Sequence, residues 1–294
     1  MDMDFLAGFA TNNSKEEFLY SKGDILKVLK QIGVDTRFVS YFEDEEGSIK
    51  LYIENLRFSK FSRNRTAVFN RHYPDIEVVR STLFQKICAR SSKTLAECLH
   101  PRDRLLIPPV KDDYWRLLYI VLEPYSRKYG IEFVEYGGKA DYGDIDSIVS
   151  TLNLNQEVNH ILNDIFNGRG IDWQRKFNSA LDEFGLNGGN VVFPFINVPE
   201  EWINDFLGIE KEYAVDYDND DIAESFMGFL GDINSQFKEN VLATSSFLEE
   251  KHQWYSNSFD VFLGYLDFNN QWFKLFFDYR IMHILFLVFI KYYN

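Results

Sequence analysis

Cysteine is nearly absent from this chain. Its 294 residues hold two, Cys88 and Cys98, without CxxC spacing. That excludes a disulfide framework and the small secreted scaffolds that depend on one, and a reducing, cytoplasmic setting is expected. Proline is also scarce, at seven residues, and no Pro-, Gly- or Ser-rich linker and no internal repeat is found. Long apolar runs are missing too. The most hydrophobic stretch, Ile281 to Ile290, is about half the ~20 residues that a membrane-spanning helix needs. Lys274, Asp278 and Arg280 interrupt anything longer, so a membrane partner is not expected. The first residues, Met1-Asp2-Met3-Asp4, lack the basic region of a secretory signal, and none is expected. Walker A, GxGxxG, HExxH and GxSxG sequences do not occur, and the five histidines show no metal-ligand spacing.

What the chain does have is aromatic side chains, 17% of all residues, so a core built on Phe and Tyr is expected. Length allows one large domain or two modest ones. Ile25, Leu26, Val28, Leu29 and Ile32 share one helical face, and Gly33 stands where a C-cap glycine belongs. Phe38–Phe42, the alternating Ile49, Leu51 and Ile53, and Leu56–Phe61 read as a three-strand meander. Leu105-Leu106-Ile107 is a short apolar run. A helix capped by Asp112 or Asp113 follows it, and then the strand Ile131–Tyr136. Strand, helix, strand over about thirty residues is a βαβ unit with a parallel pair. From Leu154 onward helical spacing dominates, with one short strand at Asn190–Ile196 that Pro194 would confine to an edge. The expected fold is α/β (or α+β). Residues 1–170 form an α/β part and residues 171–294 a mostly helical part ending in an aromatic helix. That last helix is a candidate for self-association or partner contact.

The charge distribution carries the functional reading. Between Arg57 and Arg104 stand eleven cations against four acids, a local charge of +7 in a chain whose net charge is −14. A basic band in an acidic body marks a site for an anion, most often phosphate. Arg63, Arg65, Arg71, Arg80 and Arg90 are the candidate phosphate ligands, because guanidinium forks match phosphate oxygens. Phe58, Phe61, Phe69 and Tyr73 lie among them and could stack on bases or sugars. A solvated or internally paired set of cations is the competing reading.

A second candidate follows the βαβ unit. Gly137 and Gly138 would let a backbone approach phosphate, and Asp144 and Asp146 alternate, so both carboxylates would face one way. Such a pair would hold Mg²⁺ and act as the catalytic and metal-binding group. The alternative is a glycine turn with Asp144 or Asp146 capping the next element. Asp216–Asp221 opens like a calcium loop but has Asp221 where Gly is required and Met227 where Glu is required. It reads as an acidic turn. The expectation from these parts is a phosphate-substrate enzyme acting on a nucleotide or nucleic acid, by Mg-dependent phosphoryl or nucleotidyl transfer or by hydrolysis. The competing expectation is a non-catalytic nucleic-acid-binding or protein-interaction module.

Overall fold

The computed structural model describes residues 20–263 except 45, 108–111, 137–144, 187 and 210–221, with side chains described through His252. The fold is mixed α/β. Helix α1 (Lys22–Gln31) starts at Ser21, whose hydroxyl accepts from the Asp24 N–H, and stops where Gly33 takes φ +82°. Strand β1 (Val39–Glu43) pairs antiparallel with β2 (Ile49–Ile53), which pairs parallel with β3 (Glu77–Val79). Alternation in β2 puts Ile49, Leu51 and Ile53 inward, where they meet Ile25, Leu29, Phe61 and Phe69 in one core.

The expected third strand over Leu56–Phe61 is instead a short helix, α2 (Leu56–Ser59), followed by α3 (Arg63–His72). The reason is local capping. The Asn55 side-chain oxygen accepts from the N–H groups of Arg57 and Phe58, both at 3.0 Å, and Ser62 caps α3. The basic band therefore begins on two helices.

After α4 (Thr82–Cys98) comes a second sheet. It contains β4 (Arg104–Ile107), β5 (Glu132–Glu135), β6 (Ser147–Val149) and β7 (Asn190–Val192), ordered β5-β4-β6-β7 and parallel throughout. The βαβ unit runs from β4 through α5 (Asp113–Leu122) and α6 (Tyr125–Lys128) to β5. Asp112 caps α5, and Pro124 separates the two helices. Strand β7 stops two residues before Pro194 and is one of the two edge strands, with β5 at the other side. Leu105, Leu106, Trp115, Leu118, Ile148 and Phe195 make the core of this layer.

The remaining elements are α7 (Leu154–Phe166), α8 (Arg175–Glu183), α9 (Glu200–Leu207), α10 (Ile222–Ile233) and α11 (Phe237–Leu263). Val158, Ile161, Met227 and Leu242 join α7, α10 and α11 in a helical core. No helix among the described residues is long and apolar enough to cross a membrane. The aromatic tail beyond Leu263 and the acidic turn Asp216–Asp221 lie outside the described residues.

Buried charge joins the two layers. The Glu123 carboxylate, at the end of α5, accepts from the backbone N–H of Tyr41 in β1 (3.0 Å), from Lys22 in α1 (2.9 Å) and from both terminal nitrogens of Arg127 in α6. Arg127 also donates to the carbonyls of Thr36 (3.1 Å) and Val39 (2.7 Å). Beside this hub, Lys128 donates to buried Glu54 at 2.6 Å.

Candidate anion-binding cleft

The hub leaves a basic opening on its solvent side. Just after α1, Val34 and Asp35 turn the chain, and Asp35 accepts from the Arg37 backbone N–H and from its guanidinium at 3.0 and 2.8 Å. That hydrogen bonding, with the nearby charges of Arg37 and Lys60, holds the Asp35 carboxyl below the usual carboxylate range. Lys60, between α2 and α3, takes the left-handed conformation (φ +55°), and its carbonyl accepts from Arg65 at 2.6 Å. Together Lys30, Asp35, Thr36, Arg37, Lys60 and Arg127 line a cleft of about 590 Å³. Four cations from separate segments thus converge on one space. Asp35 is already engaged with Arg37, and Lys30 and Lys60 have no ion-pair partner among the described residues. Such a lining suits an oxyanion, which would take the place of counter-ions and water around the two lysines.

Gly33 matters here twice. Its positive φ disfavours any side chain, and a methyl group on it would lie 3.0 Å from the Arg65 guanidinium. Arg65 could move only by giving up the Lys60 carbonyl. Gly33→Ala should therefore cost about 1–2 kcal/mol of stability, read as a shift in the urea midpoint. An unchanged midpoint would mean that Arg65 and the turn adapt freely.

Of the residues expected to bind phosphate, the structure brings only Arg65 to this place, where it supports Lys60 from behind. Arg63 and Arg71 are exposed on α3. Arg80 turns inward and donates to the Phe61 carbonyl and the Thr66 hydroxyl, each at 2.6 Å; burial and the charge of Arg63 lower its pKa. Arg90 lies on another face. It bonds the Asn197 carbonyl (2.8 Å) and the Glu239 carboxylate (2.9 Å) and sits 4.4 Å from the Trp202 ring centre. The band is thus divided between scaffold and surface. Lys30, Arg37 and Arg127 were missed. The first two flank Gly33 within eight residues and could have been noticed as a pair, whereas Arg127 has no local signal.

The acidic pair fares differently. Gly137, Gly138 and Asp144 lie outside the described residues. Asp146 stands at the amino end of β6, level with Arg104, and not at the carboxyl ends of strands where ligands of parallel sheets bind. Its carboxylate accepts from the Arg104 N–H at 2.8 Å and its own N–H donates to the Arg104 carbonyl, so it acts as a sheet-end cap. It borders a smaller opening of about 410 Å³ with Cys98, His100, Asp103 and Asn190. Among the described residues no group of three or more His, Cys, Asp or Glu side chains is placed to hold a metal ion. Cys88 is buried, which pushes its thiol well up and makes it a poor nucleophile.

No protein-family profile and no curated protein sequence matches the chain. Among solved structures it is similar to the U34-tRNA thiolase NcsA from Methanococcus maripaludis with its [4Fe-4S] cluster. Identity is 11% and the TM-score 0.39, over 62% of this chain and 83% of that one. In the present chain the Asp146 carboxylate is bonded to the backbone N–H of Arg104 and belongs to no group of three or more His, Cys, Asp or Glu side chains placed to hold a metal ion among the described residues. The expectations of Mg²⁺ on Asp144 and Asp146, and of a Mg-dependent phosphoryl or nucleotidyl transfer or hydrolysis on a phosphate substrate, are therefore corrected. The arginines meant to hold the phosphate do not share one pocket, and the described carboxylate of the acidic pair stands at the amino end of its strand, bonded to the backbone of Arg104.

Proposed function

We propose that this protein binds a nucleic-acid strand, with backbone phosphates entering the cleft and held there by Lys30 and Lys60, while Arg37 and Arg127, paired with Asp35 and Glu123, line its wall. The observation that carries the reading is the convergence of these four cations on one space in a chain of net charge −14. A strand suits the site better than a lone anion because exposed cations continue past the cleft. Arg57 on α2 and Arg63 on α3 flank Lys60 on either side along the chain. Repeating phosphates would use that continuation, while one small anion would not. The acidic remainder repels a polyanion, which restricts contact to this patch and predicts a shallow salt dependence. With about four phosphates neutralised, at Lys30, Lys60, Arg57 and Arg63, log K should fall against log salt with a slope of roughly −3.

The test is fluorescence anisotropy with a labelled 12-nucleotide thymidine oligonucleotide. Replacing Lys30 and Lys60 together with alanine should weaken binding about tenfold at low salt. It should also make the salt slope shallower by roughly 1.4, two single-strand contacts' worth. Undiminished affinity in a double variant that keeps its circular dichroism would refute the assignment.

A further inference from the structure

Near Lys60 along the chain, on α2, stands a half-exposed aromatic ring. Phe58, on α2, is 54% exposed. Its ring packs on Phe38 with centres 5.3 Å apart and planes tilted by 32°. Phe38 is steadied in turn by the Lys128 ammonium, 5.3 Å from its ring centre. The position is rigidly built. The Asn55 side chain caps α2 at the Arg57 and Phe58 N–H groups, the Ser59 N–H donates to the Asn55 carbonyl at 2.9 Å, and Ser59 itself is buried. Phe38 directly follows Arg37, and Phe58 precedes Lys60 by two residues, so each ring belongs to a segment that also supplies a cation of the cleft. The two segments meet where the Asp35 N–H donates to the Ser59 carbonyl at 2.8 Å.

A lone exposed phenylalanine is ordinary on a protein surface. One that is capped in place, backed by a second ring and carried on a segment that also supplies a cation of the cleft offers the two parts of a single-strand site, a stacking platform and a charged track. We infer that the bound strand is single and that one of its bases lies on Phe58 while the neighbouring phosphates enter the cleft. In a duplex the base faces are covered by their neighbours, so the platform would find no partner. This inference rests on the nucleic-acid reading above and adds the class of strand and the residue that selects it.

Three probes of equal length separate the two ideas. They are the labelled thymidine 12-mer, a 12-mer of the same charge with abasic sugars throughout, and a 12-base-pair duplex. Wild-type protein should bind the thymidine strand about tenfold more tightly than the abasic strand, and the duplex no more tightly than the abasic strand. Phe58→Ala should bring the thymidine strand down to the abasic level and leave abasic affinity unchanged. Phe58→Leu, which keeps apolar area without a π-face, should behave like alanine, and Phe58→Trp should bind at least as tightly as wild type. If abasic and thymidine strands bind equally and no Phe58 variant matters, stacking is refuted and the phosphate cleft stands. A duplex that binds as tightly as the thymidine strand also refutes it. Binding of none of the three probes overturns the cleft reading itself.

Discussion

Glu123→Ala should destabilise the protein by about 3–5 kcal/mol, the range for removing one partner of a buried ion pair. The carboxylate is 1% exposed and is the common acceptor for Lys22, Arg127 and the Tyr41 N–H. Alanine would leave a partly buried guanidinium and a buried backbone N–H without their acceptor. Because Tyr41 belongs to the three-stranded sheet and Glu123 to the βαβ unit, the loss would fall on the junction between the layers. Urea unfolding at neutral pH measures it. A change under about 1 kcal/mol, the scale of an exposed pair, would show that the hub does not hold the layers together. Burial pushes the Glu123 carboxyl up, but Arg127 and Lys22 outweigh it and hold it below its ordinary value. Its stabilisation is therefore present above an unfolded pKa near 4.5 and is lost as pH falls through the lower folded value. Wild type should weaken along that acidic limb, and Glu123→Gln should lack it.

Lys128→Met should have the opposite pH signature. It removes the only cation described as bonding Glu54, a 2.6 Å partner, and leaves a carboxyl that is 5% exposed in its side chain. Burial already pushes Glu54 up to about 7, with Lys128 offsetting only part of the effect. Without Lys128 its folded value would climb further. A carboxyl with a raised folded pKa loses stability as pH rises from its unfolded value through the folded one. The variant should therefore be near wild type at pH 5, where Glu54 can take a proton, and about 3 kcal/mol worse at pH 8. Paired urea titrations at the two pH values give the comparison. A deficit that is the same at both would show that lost packing of the Lys128 stem over Phe38 and Tyr125, and not the unpaired charge, is responsible.

The elements that sequence reasoning described well are those whose causes are local. Helix α1 with its glycine end, the Asp112 cap of α5 and the Pro124 break each follow from a few adjacent residues, and the strand expected over Asn190–Ile196 exists but is cut to Asn190–Val192 ahead of Pro194. The error at Leu56–Phe61 is local as well. Asn55 and Ser62 are strong helix caps, and the apolar alternation of that stretch obscured them. Asp146 was misplaced for a different reason. Strands β5 and β6 both run parallel to β4, so the chain leaves β5 at its carboxyl end and enters β6 at its amino end, and a residue that follows β5 closely in sequence lies at the opposite end of the strands. Of the candidate site, Lys60 and Arg65 fell inside the band that was read from charge, while Lys30, Arg37 and Arg127 fell outside it.

Composition and short-range pattern determined that this chain builds a mixed α/β fold with a βαβ unit and a helical C-terminal part, because periodicity, caps and breaks act over three or four residues. They also determined that its cations are unevenly distributed along the sequence. Which of those cations meet was decided only in three dimensions. Arg127 reaches the cleft because its guanidinium bonds the carbonyls of Thr36 and Val39, 91 and 88 residues away, while Arg80 and Arg90 are drawn into other bonds. A charge is free to serve a ligand only where the packed chain leaves it unmatched, and that depends on neighbours that no stretch of sequence places side by side.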